Sequence, residues 1–85
     1  MTKKNIFISG ASRGIGKSMA QHFAKSNFNV VGTSRNDFKF DNDLENLFPI
    51  KLDVTSRNDV KDCFDELKSK HLLPDILINN AGITT

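Results

Sequence analysis

The chain has 85 residues with 7 Phe and 1 Cys but no Tyr or Trp, and its formal net charge is +2. At this size it buries only roughly 60–65% of the surface its unfolded form exposes, so it is a marginal domain or part of a larger one. A single cysteine excludes the internal disulfides that staple small secreted folds. The charge is too small to argue for nucleic acid, and the apolar run Ile6-Phe7-Ile8 is far short of a signal-peptide core or a membrane span, so the expectation is a soluble, cytoplasmic chain with no membrane partner.

Asn5 to Ser9 is an apolar run of Ile and Phe stopped by Gly10, which predicts a buried strand. Ile15, Met19 and Phe23 recur every four residues with Ala20 and Ala24 beside them. That spacing predicts a helix over Gly14 to Lys25 with one face covered, ended by Asn27 or Asn29. A second strand is expected at Asn29 to Thr33, built on Val30 and Val31. Asp41 to Leu47 reads as a short helix terminated by Pro49, and Ile50 to Val54 as the third strand. Ser56 has the character of an N-cap with Asp59 at the third helical position. Val60, Cys63, Phe64 and Leu67 then fall at i, i+3, i+4 and i+7, predicting a helix to about Ser69. Pro74 breaks the chain, and Asp75 to Asn79 forms the fourth strand. Strands that are apolar on both faces and alternate with helices imply an α/β fold, a doubly wound parallel sheet of four strands and three helices. In its dinucleotide-binding version the spatial order is 3-2-1-4.

Ser9-Gly10-Ala11-Ser12-Arg13-Gly14-Ile15-Gly16 lies between the first strand and the first helix, the context in which a glycine motif acquires physical meaning. Gly10 permits the tight turn, Gly14 lets the backbone approach a pyrophosphate, and Gly16 lets the helix pack closely on the sheet. Free N–H groups at the helix start face an anion there, assisted by the helix dipole. The charge distribution agrees: residues 1–40 hold seven cations against Asp37 alone, and residues 41–85 hold nine carboxylates against five cations. The spacing is G-x-x-x-G-x-G. A Walker A reading of Gly16-Lys17-Ser18 fails because its first glycine is out of register by one.

With this spacing the run resembles the phosphate loop of the short-chain dehydrogenase/reductase family, T-G-x-x-x-G-x-G, with Ser9 for the threonine and the hydroxyl kept. Asn79-Asn80-Ala81-Gly82, after the fourth strand, carries the same resemblance at the family's order and separation. The resemblance covers essentially the whole chain and implies that residues 1–85 are the N-terminal part of a Rossmann-like NAD(P)-binding domain. It implies that Asp53 and Val54 hold adenine, and that Asn80, Ala81 and Gly82 line the adenosine ribose while their segment braces the central strands. At the end of the second strand, where an acid usually grips a free ribose 2′-hydroxyl, stand Ser34 and Arg35. Arg13 in the phosphate loop is a second cation. Arg contacts suit a 2′-phosphate, so NADP(H) is expected over NAD(H), with the nearby Asp37 keeping NAD(H) open.

Members of the family move hydride between the nicotinamide ring and a carbonyl or alcohol carbon, using a tyrosine, a lysine four residues later and an upstream serine. In the family these lie beyond position 85, and this chain contains no tyrosine. The expectation is the N-terminal part of an NADPH-dependent carbonyl reductase, inactive as 85 residues and aggregation-prone through an apolar edge on the fourth strand. A carbonyl or alcohol substrate and a homo-oligomer would come with a C-terminal part. Both glycine-bearing runs are most similar to those of 3-oxoacyl-acyl-carrier-protein reductases. The alternative is a non-catalytic nucleotide-binding module. His22 and His71 lack a second ligand at metal spacing and read as surface residues. Cys63 reads as a small core hydrophobe, and Phe7, Phe23, Phe28 and Phe64 as packing rather than as stacking platforms for nucleic acid.

Overall fold

The computed structural model describes residues 3–41 and 44–80. Four strands and two helices follow one another as β1 (Asn5–Ser9), α1 (Gly14–Lys25), β2 (Asn29–Ser34), β3 (Leu47–Lys51), α2 (Arg57–Ser69) and β4 (Ile76–Asn79). Every pairing is parallel and the spatial order is β3-β2-β1-β4, with Phe7 of β1 in register with Val31 of β2 and Leu77 of β4. This is the expected doubly wound arrangement. It places the C-terminal ends of β1, β2 and β4 side by side, where the chain leaves β1 for α1.

Side-chain alternation along the strands sorts the core into two layers. Ile6, Ile8 and Val30 pack with Ala11, Ala20, Ala24 and Leu47 on the α1 side, and Phe7 and Val31 pack with Leu52, Cys63, Leu67 and Leu72 on the α2 side. Phe7 stacks on Phe64 of α2 at a centroid distance of 5.2 Å. The helical positions expected to be apolar in α2 all meet this layer, and Ser56 Oγ caps the helix by accepting from the Asp59 N–H at 3.3 Å. At the opposite end of the sheet, Asn5 N–H donates to Asp75 Oδ2 (2.7 Å) and Asp75 N–H to Asn5 O (2.8 Å), which ties the start of β4 to β1.

Three expectations require correction. The covered stripe of α1 consists of Gly16, Ala20 and Ala24, with Met19 and Phe23 at its margin; Ile15, read as part of it, is 72% exposed. Small residues take the stripe because α1 starts hard against the β1 turn. The short helix over Asp41 to Leu47 is absent from the described residues of that stretch. Asn46 instead extends its amide to the carbonyls of Ala24 and Phe28, at 2.7 Å each, closing the C-terminal end of α1, while its own carbonyl accepts from Val30 N–H. Finally, the third strand begins three residues early, at Leu47, with Pro49 inside it opposite Gly32. Proline lacks an N–H and is excluded from central strands, but β3 has a ladder on one side only, so Pro49 sits on the open edge at little cost. The strand therefore ends at Lys51, and Asp53 and Val54 lie in the loop beyond it. Among the described residues no helix is long and apolar enough to cross a membrane.

Candidate functional site

The β1–α1 turn is built from two left-handed residues, Gly10 (φ +67°) and Gly14 (φ +63°), a conformation that a Cβ disfavours. A Cβ at Gly14 would meet nothing within 4 Å, so only the backbone angle demands glycine there and the space above it is open. Gly16 is the reverse case. A Cβ there would collide with the Gly10 carbonyl and lie 2.6 Å from Asn80 Nδ2. Close approach of α1 to the turn thus depends on Gly16, and it lets Asn80 Nδ2 donate to Gly10 O at 2.9 Å. From the other side Ala11 N–H donates to Thr33 O at 2.8 Å, so the turn is pinned by the ends of β2 and β4. Ser9 Oγ donates to Asn79 Oδ1 at 3.1 Å, a second brace between β1 and β4 that uses the hydroxyl at the head of the motif.

Helix α1 opens with no side chain capping it and no acid in its first turn, and Arg13 at its N-cap is extended (φ −161°, ψ 169°). The first N–H groups of a helix have no partner within it, and here, among the described residues, no side chain caps them. They carry the positive end of the dipole into an open cleft of about 690 Å³. Gly10, Ser12, Arg13, Gly14 and Ile15 line the cleft on the turn side and Ser34 and Arg35 on the β2 side, and Val54 and Asn80 also border it. Of the site residues expected from the sequence, Gly16 lies beneath the cleft rather than in it. Ala81 and Gly82 are outside the described residues.

Asp53 does not line this cleft. It borders a neighbouring hollow of about 330 Å³ between β3 and α2, to which Arg35 also contributes. Its Oδ1 accepts from Thr55 Oγ1 at 2.6 Å and from Thr55 N–H at 2.9 Å. These bonds, first the hydroxyl and then the amide, hold its carboxyl below the usual range, and Arg35 adds to them. Asp53 thereby shapes the turn leading into α2. Cys63 is buried in the α2 layer, and burial, followed by the nearby Glu66, pushes its thiol up. Lys17 does not line the cleft and pairs with Asp41 at 2.9 Å. His22 and His71 are exposed, and among the described residues no group of His, Cys, Asp or Glu is arranged to hold a metal.

The cleft is also lined by Thr33 and Asn36, to which sequence reasoning assigned no ligand role, and by Phe38 and Leu52, which it missed. Thr33 is 1% exposed, and its Oγ1 finds no hydrogen-bond partner among the described residues. Thr33 and Asn36 flank Ser34 and Arg35 in the run read at the end of the second strand, whereas Phe38 and Leu52 lie where no motif marks them.

The family model for short chain dehydrogenase matches residues 4–85. The chain belongs to the short-chain dehydrogenase family. Among its relatives, 3-oxoacyl-[acyl-carrier-protein] reductase FabG of Buchnera aphidicola subsp. Baizongia pistaciae is 40% identical over 87 residues, covering 96% of this chain and 36% of that protein. FabG of Staphylococcus epidermidis is 35% identical over 89 residues, again covering 36% of its length, so the chain spans about a third of these short-chain dehydrogenase relatives. A short chain dehydrogenase from Leptospira borgpetersenii with bound NAD+ superposes over the whole chain and 34% of its own, with a TM-score of 0.87 at 28% identity. ElxO with NADP bound gives 0.84 at 36% identity, over 99% of this chain and 37% of that one. The resemblance read from the two glycine-bearing runs is thus membership.

Proposed function

We propose that the cleft binds a nicotinamide dinucleotide, NADP(H) in preference to NAD(H), and that residues 1–85 are the cofactor-binding part of a carbonyl reductase resembling the 3-oxoacyl-acyl-carrier-protein reductases. The observation that carries this reading is the uncapped N-terminus of α1, with no first-turn acid, opening at Gly14 onto the cleft. A pyrophosphate suits those amides, and no Cβ bars its approach. Relatives that hold NAD+ and NADP in their solved structures support it.

In this reading the amides of the α1 start receive the pyrophosphate, and Ser34, Arg35 and Arg13 receive the 2′-phosphate. Asn80 keeps the turn in shape through Gly10 O, and Val54 offers an apolar side chain that is 45% exposed to cover the base. When bound, the nicotinamide supplies the hydride chemistry. The 85 residues contain no tyrosine. The 85 residues alone are therefore expected to bind cofactor without turnover. Asp37 also lines the cleft, but Arg35 and Ser34 stand nearer the end of β2 and precede it in the chain.

Calorimetric titration with NADPH and NADH tests the proposal. Arg35→Asp is expected to weaken NADPH binding by roughly ten- to a hundredfold, the equivalent of one charge-assisted contact, and to change NADH binding far less. Equal losses for both would refute the phosphate role of Arg35. Binding of neither dinucleotide by the unsubstituted chain would refute the cofactor reading.

A further inference from the structure

We propose that the Phe38 ring is a stacking wall for the purine base of the dinucleotide, held in place by Phe40; this rests on the cofactor reading above. The argument begins at Gly32, in the middle of β2. A Cβ at Gly32 would lie 2.7 Å from Phe40 Cζ and 2.8 Å from Ala11 Cβ, so the missing side chain is the space into which the Phe40 ring is seated. Phe40 belongs to the α1-side core, against the same Ala11 that is hydrogen-bonded to Thr33 within the phosphate turn. Its segment is fastened to α1 on the far side, where Asp41 N–H donates to Gln21 Oε1 at 3.0 Å and Asp41 pairs with Lys17.

Phe38 meets Phe40 edge to face, with ring centroids 5.1 Å apart and planes at 79°. That geometry is the favoured one for an aromatic pair, and it leaves Phe38 half-buried while it lines the cleft beside Arg35 and Asn36. A packing role alone would draw Phe38 into the core with Phe40. Phe38 instead borders the open cleft, as an apolar ring among cations and hydroxyls. Flat aromatic surface next to phosphate-binding cations is the combination that recognises a nucleotide base, because every base has a π-face to lay on it.

The chain has no native Trp or Tyr, which makes Phe38→Trp a single fluorescent reporter at the site itself. The probes are NADPH and 2′,5′-ADP, the second carrying the base without the nicotinamide, with affinities measured in parallel by calorimetry. The expected result is quenching of the new Trp by both probes as each reaches calorimetric saturation. Phe38→Leu, which keeps an apolar side chain without the ring, is expected to lose roughly five- to tenfold in affinity for both. Trp emission unchanged at calorimetric saturation, or full affinity in Phe38→Leu, would overturn the stacking role while leaving the cofactor reading intact. Failure of the unsubstituted chain to bind either probe would remove both.

Discussion

Gly16→Ala isolates the close approach on which the site geometry depends. The added Cβ would meet the Gly10 carbonyl, a backbone atom that cannot rotate away, and would lie 2.6 Å from Asn80 Nδ2, whose 2.9 Å bond to that carbonyl holds the turn to β4. Overpacking at such a point costs about 1–3 kcal/mol and losing the Asn80 bond about 1 kcal/mol. Replacing glycine by alanine in a helix returns less than about 1 kcal/mol. The net expectation is a loss of about 1–3 kcal/mol. With an m-value of about 1 kcal/mol/M, that lowers the urea midpoint by about 1–3 M. Far-UV circular dichroism is the suitable probe in a chain without Trp or Tyr. Adding Asn80→Ala completes a cycle. Gly16→Ala and Asn80→Ala share a contact and should be coupled by at least about 0.5 kcal/mol. Gly14→Ala, whose Cβ would meet nothing, should cost about 1–2 kcal/mol through its left-handed backbone and add independently to Asn80→Ala. An unshifted midpoint in Gly16→Ala, or strict additivity with Asn80→Ala, would show that the helix is not wedged against the turn as described.

Other expectations follow from single side chains. Thr33→Val removes a buried hydroxyl that has no partner among the described residues and keeps the branched shape, so it should leave stability unchanged or raise it by up to about 1 kcal/mol in the same urea assay; a loss beyond about 1 kcal/mol would mean that the hydroxyl is hydrogen-bonded after all. The Asp53 carboxyl is held below its ordinary value, so its contribution to stability is complete above that value and disappears as pH falls through the lowered one. Asp53→Ala should accordingly flatten the acid limb of a stability–pH profile, and an unchanged limb would contradict the Thr55 bonds. Cys63, buried and with its thiol pushed up, should react with iodoacetamide near neutral pH far more slowly in the folded chain than in urea. Comparable rates would place it at the surface.

Periodicity and punctuation in the sequence were enough for the elements whose residues carry their own signals. Asn5–Ser9 and Gly14–Lys25 begin and end where an apolar run meets Gly10 and where a four-residue repeat meets Asn27, which adopts the left-handed backbone (φ +74°) that stops a helix. Parallel order and the glycine turn followed as well, because strands apolar on both faces allow few arrangements and because the glycine spacing reports backbone angles that only the turn requires. What the tertiary structure decided was everything that depends on a distant partner. Pro49 reads as a breaker until β3 is known to be a sheet edge. Asp41 to Leu47 reads as helical until Asn46 is seen bonded to the end of α1. Ile15 reads as core until Gly16, Ala20 and Ala24 take its place against the sheet. The Phe38–Phe40 pair and the vacant side of Gly32 belong to the same class: a local pattern states what a segment can form, and only packing across the sheet determines which of its faces is covered and which is left to meet a ligand.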